Sequence, residues 1–482
     1  MKYKVLCYYH DDKGRDIEIL AYLKLYLKNF ENCEFKNVHL RNLLPLFTFK
    51  PDVVLIANTV GSKLHYQISS LSKKLNIPIF SLISEGNYRT DGTYNYWGWN
   101  TKKKFNEEFI CFWSERTMKF MTKELAGHSN KLALVGGTGF DKYAVNQINY
   151  RDKILAKINK QHYKKVVGYA GWAFGKCFQP KSVEIWKQFY GNEQADKMLQ
   201  WRKKQRVEVK NALEFVIQKH PDTLFILRKH PSEDVFVGSK LVKNEMSELT
   251  KYENVVYQID QEFSIAEIIR ICDLWMGFET TTCLEGWLCG KETILINPFD
   301  IWLSPPSRAN IHKGNVITKT AKGLNQLIET FFKGNFDALV SDEKIAIRKS
   351  LIKETIGYSD GLNHLRAAQV FKRVLAKNKS AQFKLKNFGL LFSSFLNSLL
   401  YGTLKIFYIR SLFLLLPKFK KLIRTLDTYD MKTIEAYENK QEESLIRFYK
   451  NKNIKQFLVK GELNEAFDFL GKEKVKINQL SK

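Results

Sequence analysis

Val53-Val54-Leu55-Ile56 is a run of four apolar residues with no polar position to turn toward water. A strand of that kind is covered on both faces, which is the situation of a parallel sheet packed between helices. The pattern recurs along the chain. Residues 5–9, 52–57, 79–83, 109–113 and 132–135 read as strands, and segments with helical spacing, notably 16–30 and 64–75, lie between them. Residues 1–150 therefore read as one α/β domain with a mostly parallel sheet.

The second half repeats the alternation. A strand at 166–169 runs into the loop Ala170-Gly171-Trp172-Ala173-Phe174-Gly175, and a charged helical segment follows at 183–220. A strand at 224–227 leads directly into Arg228-Lys229-His230-Pro231. After a strand at 255–258 and a helix at 264–271 comes the stretch that orders the rest, 272–298. It reads as a buried strand, a turn at Gly277, the hydroxyl triplet Thr280-Thr281-Thr282, a helix closed by Gly290, and a returning strand at 293–296. A chain of 482 residues is too long for one core. The expected division is 1–150, 151–345, a crossover helix within 346–377 that returns to the first domain, and a helical tail over 378–482.

Ligands of open α/β sheets bind beyond the carboxyl ends of the strands, so the loops there carry the chemistry. One such loop is Ser84-Glu85-Gly86-Asn87-Tyr88-Arg89-Thr90-Asp91-Gly92, followed by Tyr94, Tyr96, Trp97 and Trp99. Aromatic faces there suit sugar rings or the packing of a lid. Glu85 is the expected general base if the strand end desolvates its carboxylate; otherwise it is a turn acid. Lys229 and His230 point cations at an anionic group, and His230 can donate to a phosphate oxygen or protonate a leaving group. The threonines stand where a helix start leaves N–H groups unpaired, a place for phosphate or for simple capping. Glu285, on the same helix, can reach a ribose or sit at a packing edge. Val135-Gly136-Gly137-Thr138-Gly139-Phe140-Asp141 lacks the Gly-Lys-Ser/Thr of a phosphate loop and reads as the last turn before the interdomain linker.

The net charge of +27 calls for a polyanionic neighbour: nucleic acid, anionic lipid, or phosphorylated and acidic sugars. No nucleic-acid-binding motif is present and the bases are spread along the chain, which argues against DNA or RNA. Seven cysteines without a Cys-x-x-Cys pair argue for a reducing compartment, with neither a disulfide framework nor a zinc site. The first residues form a strand rather than a signal peptide, so the body is expected in the cytoplasm. Residues 383–421 are apolar but broken by Lys405 and Arg410, and flanked by Lys384, Lys386, Lys418, Lys420 and Lys421. That composition fits a helix lying on the anionic inner face of the cytoplasmic membrane, or a hairpin packed on protein.

Taken in order, the acidic Glu85-Gly86, the His230-Pro231 dipeptide, the hydroxyl cluster and the Lys-x-x-Ile-Leu-Ile-Asn-Pro strand resemble GT-B glycosyltransferases of bacterial surface carbohydrate synthesis. The resemblance covers roughly residues 1–376. It is closest to enzymes that use CMP-activated sialic, pseudaminic or legionaminic acid, and it implies two Rossmann-like domains facing a cleft. In that family an acidic motif supplies the base, and a His-Pro motif and a Ser/Thr pair hold the CMP phosphate. The implied residues are Glu85, with Asp91 as the rival base, His230, Lys229 and Pro231, and Thr280-Thr281 or Thr281-Thr282, with Gly277 and Glu285 beside the donor. The acceptor would be a glycan, glycolipid or glycoprotein. No Asp-x-Asp pair stands ready for a metal, and no cofactor is expected. CDP-glycerol glycerophosphotransferases look similar around His-Pro, so CDP-glycerol is an alternative donor, as is a nucleoside-diphosphate sugar.

Overall fold

The computed structural model describes residues 2–10, 15–57, 63–88, 90, 105–147, 150–172, 179–230, 235–237, 240–242, 245–257, 263–278, 280–302, 308–376, 388–403 and 430–451. The chain divides into two compact units, Met1–Asn146 with Lys353–Lys482, and Gln147–Ile352.

The first unit opens with β1 (Tyr3–Tyr9), α1 (Arg15–Phe30), β2 (Cys33–His39), α2 (Pro45–Thr48), β3 (Val53–Ile56) and α3 (Lys63–Lys74). It continues with β4 (Ile79–Leu82), β5 (Phe109–Phe112), α4 (Glu115–Glu124), β6 (Leu132–Leu134) and α5 (Lys142–Val145). All six strands are parallel, in the order β2-β1-β3-β4-β5-β6. On one face Leu6, Tyr8, Val54, Ile56 and Ile79 pack against Ile68, Leu71 and Leu75, the apolar side of α3 and its end. β2 was not among the expected strands. It is the edge strand, and its Glu34, Lys36 and Asn37 interrupt the apolar run that marks its neighbours.

The second unit runs α6 (Arg151–Lys157), β7 (Lys165–Ala170), α7 (Pro180–Tyr190), α8 (Asn192–Lys219), β8 (Thr223–Arg228) and a small antiparallel pair, β9 (Val235–Val237) with β10 (Lys240–Val242). Then come β11 (Val255–Tyr257), α9 (Ile265–Ile271), β12 (Leu274–Gly277), α10 (Thr282–Leu288), β13 (Glu292–Ile296), β14 (Val316–Thr318), α11 (Ala321–Phe332) and α12 (Asp342–Ile356). The main sheet is again parallel, ordered β11-β8-β7-β12-β13-β14. Its residues alternate between two cores, as a period of two requires. Val167, Tyr169, Phe225 and Met276 meet α8 and α11 on one face. Val166, Ala170, Leu224 and Trp275 meet α6 and α9 on the other. Ser264 and Glu267 form a reciprocal capping box that fixes the start of α9.

The unit boundary falls inside α12, and the chain then returns to the first unit as α13 (Asn363–Leu375), α14 (Phe388–Thr403) and α15 (Met431–Asn451). The glycine-rich turn after β6 makes the docking site for α13. Asp141 accepts from the backbone N–H of Asn363 (3.1 Å) and of His364 (2.7 Å), which satisfies two donors of that helix start. His364 then bridges Asp141 and the Tyr449 hydroxyl, all fully interior. The polar helix α15 is thus part of the first unit. Its Glu438 pairs with buried Lys24, Gln441 accepts from Tyr22, and Glu442 accepts from Asn29.

Candidate functional site

In the second unit the chain moves outward from β7 through β8 to β11, then restarts at β12 on the opposite side of β7. The order reverses between β7 and β12, and open α/β sheets bind ligands beyond the strand ends at such a reversal. Three segments leave the sheet there: Gly171-Trp172 from β7, Phe278 from β12, and Arg228-Lys229-His230 from β8. The Gly171 N–H donates to the Arg228 carbonyl at 2.8 Å, which holds the β7 and β8 exits together. Lys229 and His230 are half-buried; Pro231 lies outside the described residues.

The hydroxyl triplet is divided by the fold. Thr280 and Thr282 are buried, and their Oγ1 atoms lie 3.0 Å apart. The Thr282 hydroxyl also accepts from the Trp275 indole N–H at 3.0 Å, and Thr280 accepts from the Thr282 backbone N–H at 3.2 Å. These two hydroxyls are spent on the β12–α10 turn. Thr281 is half-buried and makes no side-chain cap for α10, so the simple capping role does not apply to it. Gly277 closes β12, and a Cβ there would stand 2.4 Å from the Thr280 methyl, so the glycine makes room for the turn. Glu285 is buried on α10.

Aromatic rings line the same strand ends. Trp172 meets Phe278 edge-on at 5.9 Å, Phe278 stacks on Trp302 at 6.1 Å, and Trp302 stacks on His312 at 4.2 Å. Burial disfavours the imidazolium form of His312, with Lys313 adding to the effect, so its pKa is lowered. From α8, the Arg202 guanidinium lies 3.7 Å from the Trp186 ring centre and 5.0 Å from that of Trp172. The same helix carries Trp201 Nε1 and Gln205 Oε1, buried with no hydrogen-bond partner among the described residues. An unspent donor and acceptor of this kind is what a polar ligand or a water satisfies. This aromatic set was not among the sequence-predicted site residues; the signal was an aromatic residue within two positions of the end of each of β7 and β12.

In the first unit the order reverses between β1 and β3. Glu85 follows β4. Its side chain is 53% exposed and forms an ion pair with Arg15 at the start of α1, while Arg15 also donates to the Ser84 carbonyl at 3.1 Å. The expected desolvation of Glu85 is therefore not what this strand end provides; solvent and a guanidinium surround the carboxylate. The loop itself is firmly built. The Trp113 indole donates to the Ile83 carbonyl at 2.8 Å, and a Cβ at Gly86 would fall 2.0 Å from that indole, so only glycine lies flat against it. Arg116 holds Asn87 Oδ1 (2.7 Å) and the Tyr88 carbonyl (3.0 Å), and Tyr88 donates to the Thr117 carbonyl (3.0 Å). Asp91, Arg89 and the aromatics from Tyr94 to Trp99 lie outside the described residues.

Two parallel six-stranded sheets with helices on their faces are shared with solved structures. A putative UDP-N-acetylglucosamine 2-epimerase from Listeria monocytogenes matches with a TM-score of 0.50 at 11% identity, over 80% of this chain and 100% of that one. A variant of the wall teichoic acid polymerase TagF with CDPG matches with a TM-score of 0.50 at 13% identity, over 78% of this chain and 89% of that one. The fold is of the GT-B type. No protein-family model matches the sequence, and no curated protein matches it.

Proposed function

We propose that the chain is an inverting glycosyltransferase that moves a nonulosonic acid from a CMP-activated donor to a glycan, glycolipid or glycoprotein acceptor. The observation that carries this reading is the second unit's strand-order reversal, flanked by Lys229 and His230 on one side and the Thr281 turn on the other. In an inverting transfer the acceptor hydroxyl loses its proton while the leaving phosphate is neutralised. Lys229, His230 and Thr281 take the phosphate, and the aromatic set with Trp172 takes the flat part of the donor. The first unit's strand ends, where Glu85 stands, supply the deprotonating group. Both fold relatives are named for nucleotide-activated compounds, one with UDP-N-acetylglucosamine and one with CDPG, which agrees with a nucleotide-linked donor.

The test is to incubate the protein separately with CMP-N-acetylneuraminate, CDP-glycerol and UDP-N-acetylglucosamine and to measure the nucleotide released. CMP from the first is the expected result. Release only from CDP-glycerol would make the protein a glycerophosphotransferase, and release only from the UDP-sugar would make it a different sugar transferase.

The same reading places the protein on an anionic membrane surface through α14. That helix carries no acid or base from 388 to 403, and it exposes Phe392, Phe395, Leu396, Leu399 and Leu400 while burying Ser394. No described helix is long and apolar enough to cross a membrane. Burying two large apolar side chains contributes roughly 3–6 kcal/mol. Phe395→Asp with Leu399→Asp should therefore abolish co-sedimentation with vesicles containing phosphatidylglycerol; unchanged sedimentation would rule this contact out.

A further inference from the structure

The strands of the first sheet are all parallel, so their amino ends share one edge, opposite the strand exits that carry Glu85. Lys2 and Lys4 flank the start of β1, and Lys28 stands in the last turn of α1 before β2. Lys50 enters β3, and Lys73 and Lys74 end α3 before β4. All six are exposed. The acids of this edge are engaged or withdrawn: Glu31 pairs with Lys372 at 3.2 Å, Asp52 accepts from the Lys4 backbone N–H at 2.8 Å, and Glu107 and Glu108 are buried. Positive charge is in excess here. A helix carboxyl end attracts cations, which accounts for Lys28, Lys73 and Lys74. It does not account for Lys50. Among the described residues of the first unit, three non-glycine residues have left-handed backbone: Asn32 (φ 51°), Lys50 (φ 50°) and Asn76 (φ 59°), each on the way into a strand of this edge. Asparagine visits that region readily, whereas lysine has no short polar side chain to offset its cost. A strained position that keeps the costlier residue points to a use for that residue.

Resting on the reading that puts the chain on an anionic membrane surface, we propose that this amino edge is a second lipid-docking surface, where Lys50 and its flanking lysines meet phospholipid headgroups. The path of the chain supports it. α13 starts at Asp141, just after β6, and Lys372 in its last turn pairs with Glu31 before β2, so the helix crosses the unit from one edge to the other. The next described helix is α14, with its exposed Phe392, Phe395, Leu396, Leu399 and Leu400. An anionic bilayer is the occupant that matches both features: lysines suit the headgroup phosphates, and uncharged apolar side chains suit the acyl boundary. A nucleic acid would use the lysines and leave the apolar side of α14 in water. Docked in this way, the carboxyl edge of the sheet, where open α/β sheets receive ligands, is turned away from the lipid.

The experiment sediments the full chain with phosphatidylcholine vesicles that contain or lack phosphatidylglycerol. A lysine beside an anionic surface raises partitioning about fivefold, so Lys2→Gln, Lys28→Gln, Lys50→Gln and Lys74→Gln combined should lower binding to the anionic vesicles roughly 10²–10³-fold. Lys50→Asn alone should lower it about fivefold while raising the Tm, and Lys50→Gln should give the same loss without the gain in Tm. The assignment is overturned if the combined variant partitions like the wild type, or if Lys50→Asn leaves partitioning unchanged. Release by Phe395→Asp with Leu399→Asp, but not by the lysine changes, would leave the α14 contact standing and remove the edge. A wild-type chain that sediments with neither vesicle overturns the membrane reading itself, and the edge with it. Lysine-dependent binding to duplex RNA without binding to vesicles would overturn the assignment in favour of nucleic acid.

Discussion

The two units share an architecture and differ in what they place at its active edge. Each sheet is parallel, and each reverses its strand order beside its first strand. In the first unit the edge is ionic and wet: His10 is exposed, and Arg15 and Glu85 form an open ion pair. In the second it is aromatic and half-dry, with Trp172, Phe278 and Trp302 in contact beside Lys229 and His230. The same strand geometry thus presents charged, solvated side chains at one edge and packed aromatic rings at the other. Topology chooses where a ligand goes; the residues at strand exits choose which chemistry it meets.

The contrast can be broken first at His65, where the largest pH-dependent effect on stability is expected. Its pKa is depressed in the folded state, so the unfolded chain binds the extra proton between the ordinary value of 6.5 and about 4. Stability from this residue is complete above pH 6.5 and is lost as pH falls toward 4, by about 3 kcal/mol. His65→Gln should remove that part of the acid limb in denaturant titrations run across this range. An acid limb identical in wild type and variant would mean that the first unit's edge does not hold a neutral buried imidazole.

Smaller effects should mark the second unit. His230→Ala should lower kcat/KM for the donor by about 10- to 100-fold, the equivalent of a charged hydrogen bond worth about 1.5–3 kcal/mol. A variant that binds CMP as tightly as the wild type would remove His230 from the donor site. The threonines sharpen the comparison further. Thr282→Val loses the bond from the Trp275 indole and should cost about 1–3 kcal/mol of folding stability. Thr281→Ala should leave stability within about 0.5 kcal/mol of the wild type and raise the KM for donor. If Thr281→Ala changes stability and not KM, the outward threonine has no part in binding.

The contrast also marks how far the sequence could be read. The run Val53-Val54-Leu55-Ile56 announces a doubly covered strand because no face of it can be left in water. His230 was legible as a candidate because an apolar strand pattern runs straight into Arg228-Lys229-His230. The division of labour among Thr280, Thr281 and Thr282 was not legible, since three identical side chains in a row have identical local propensities. Only the fold, which sets the Trp275 indole against Thr282 and Thr282 against Thr280, engages two of them and leaves Thr281 without a side-chain cap role. Glu85 looked like a desolvated acid because its loop is short and follows a buried strand. In the structure it is half exposed and paired with Arg15, which lies 70 positions earlier and meets it only once the sheet has formed.

The tail gives the sharpest instance. Both α14 and α15 could be read as helical from composition, yet the apolar one faces outward and the polar one is built into the first unit. Buried Lys24 needs Glu438, and removing one partner of such a pair costs about 3–5 kcal/mol. The sequence alone determined the alternating strands and helices, the two sheets and the cationic strand exits, because these follow from local periodicity and from which residues water rejects. The tertiary structure decided which polar groups find partners, since Lys24 and Glu438, Asp141 and His364, and His10 and His65 are brought together by packing across long stretches of chain. No pattern of neighbouring residues encodes such a meeting.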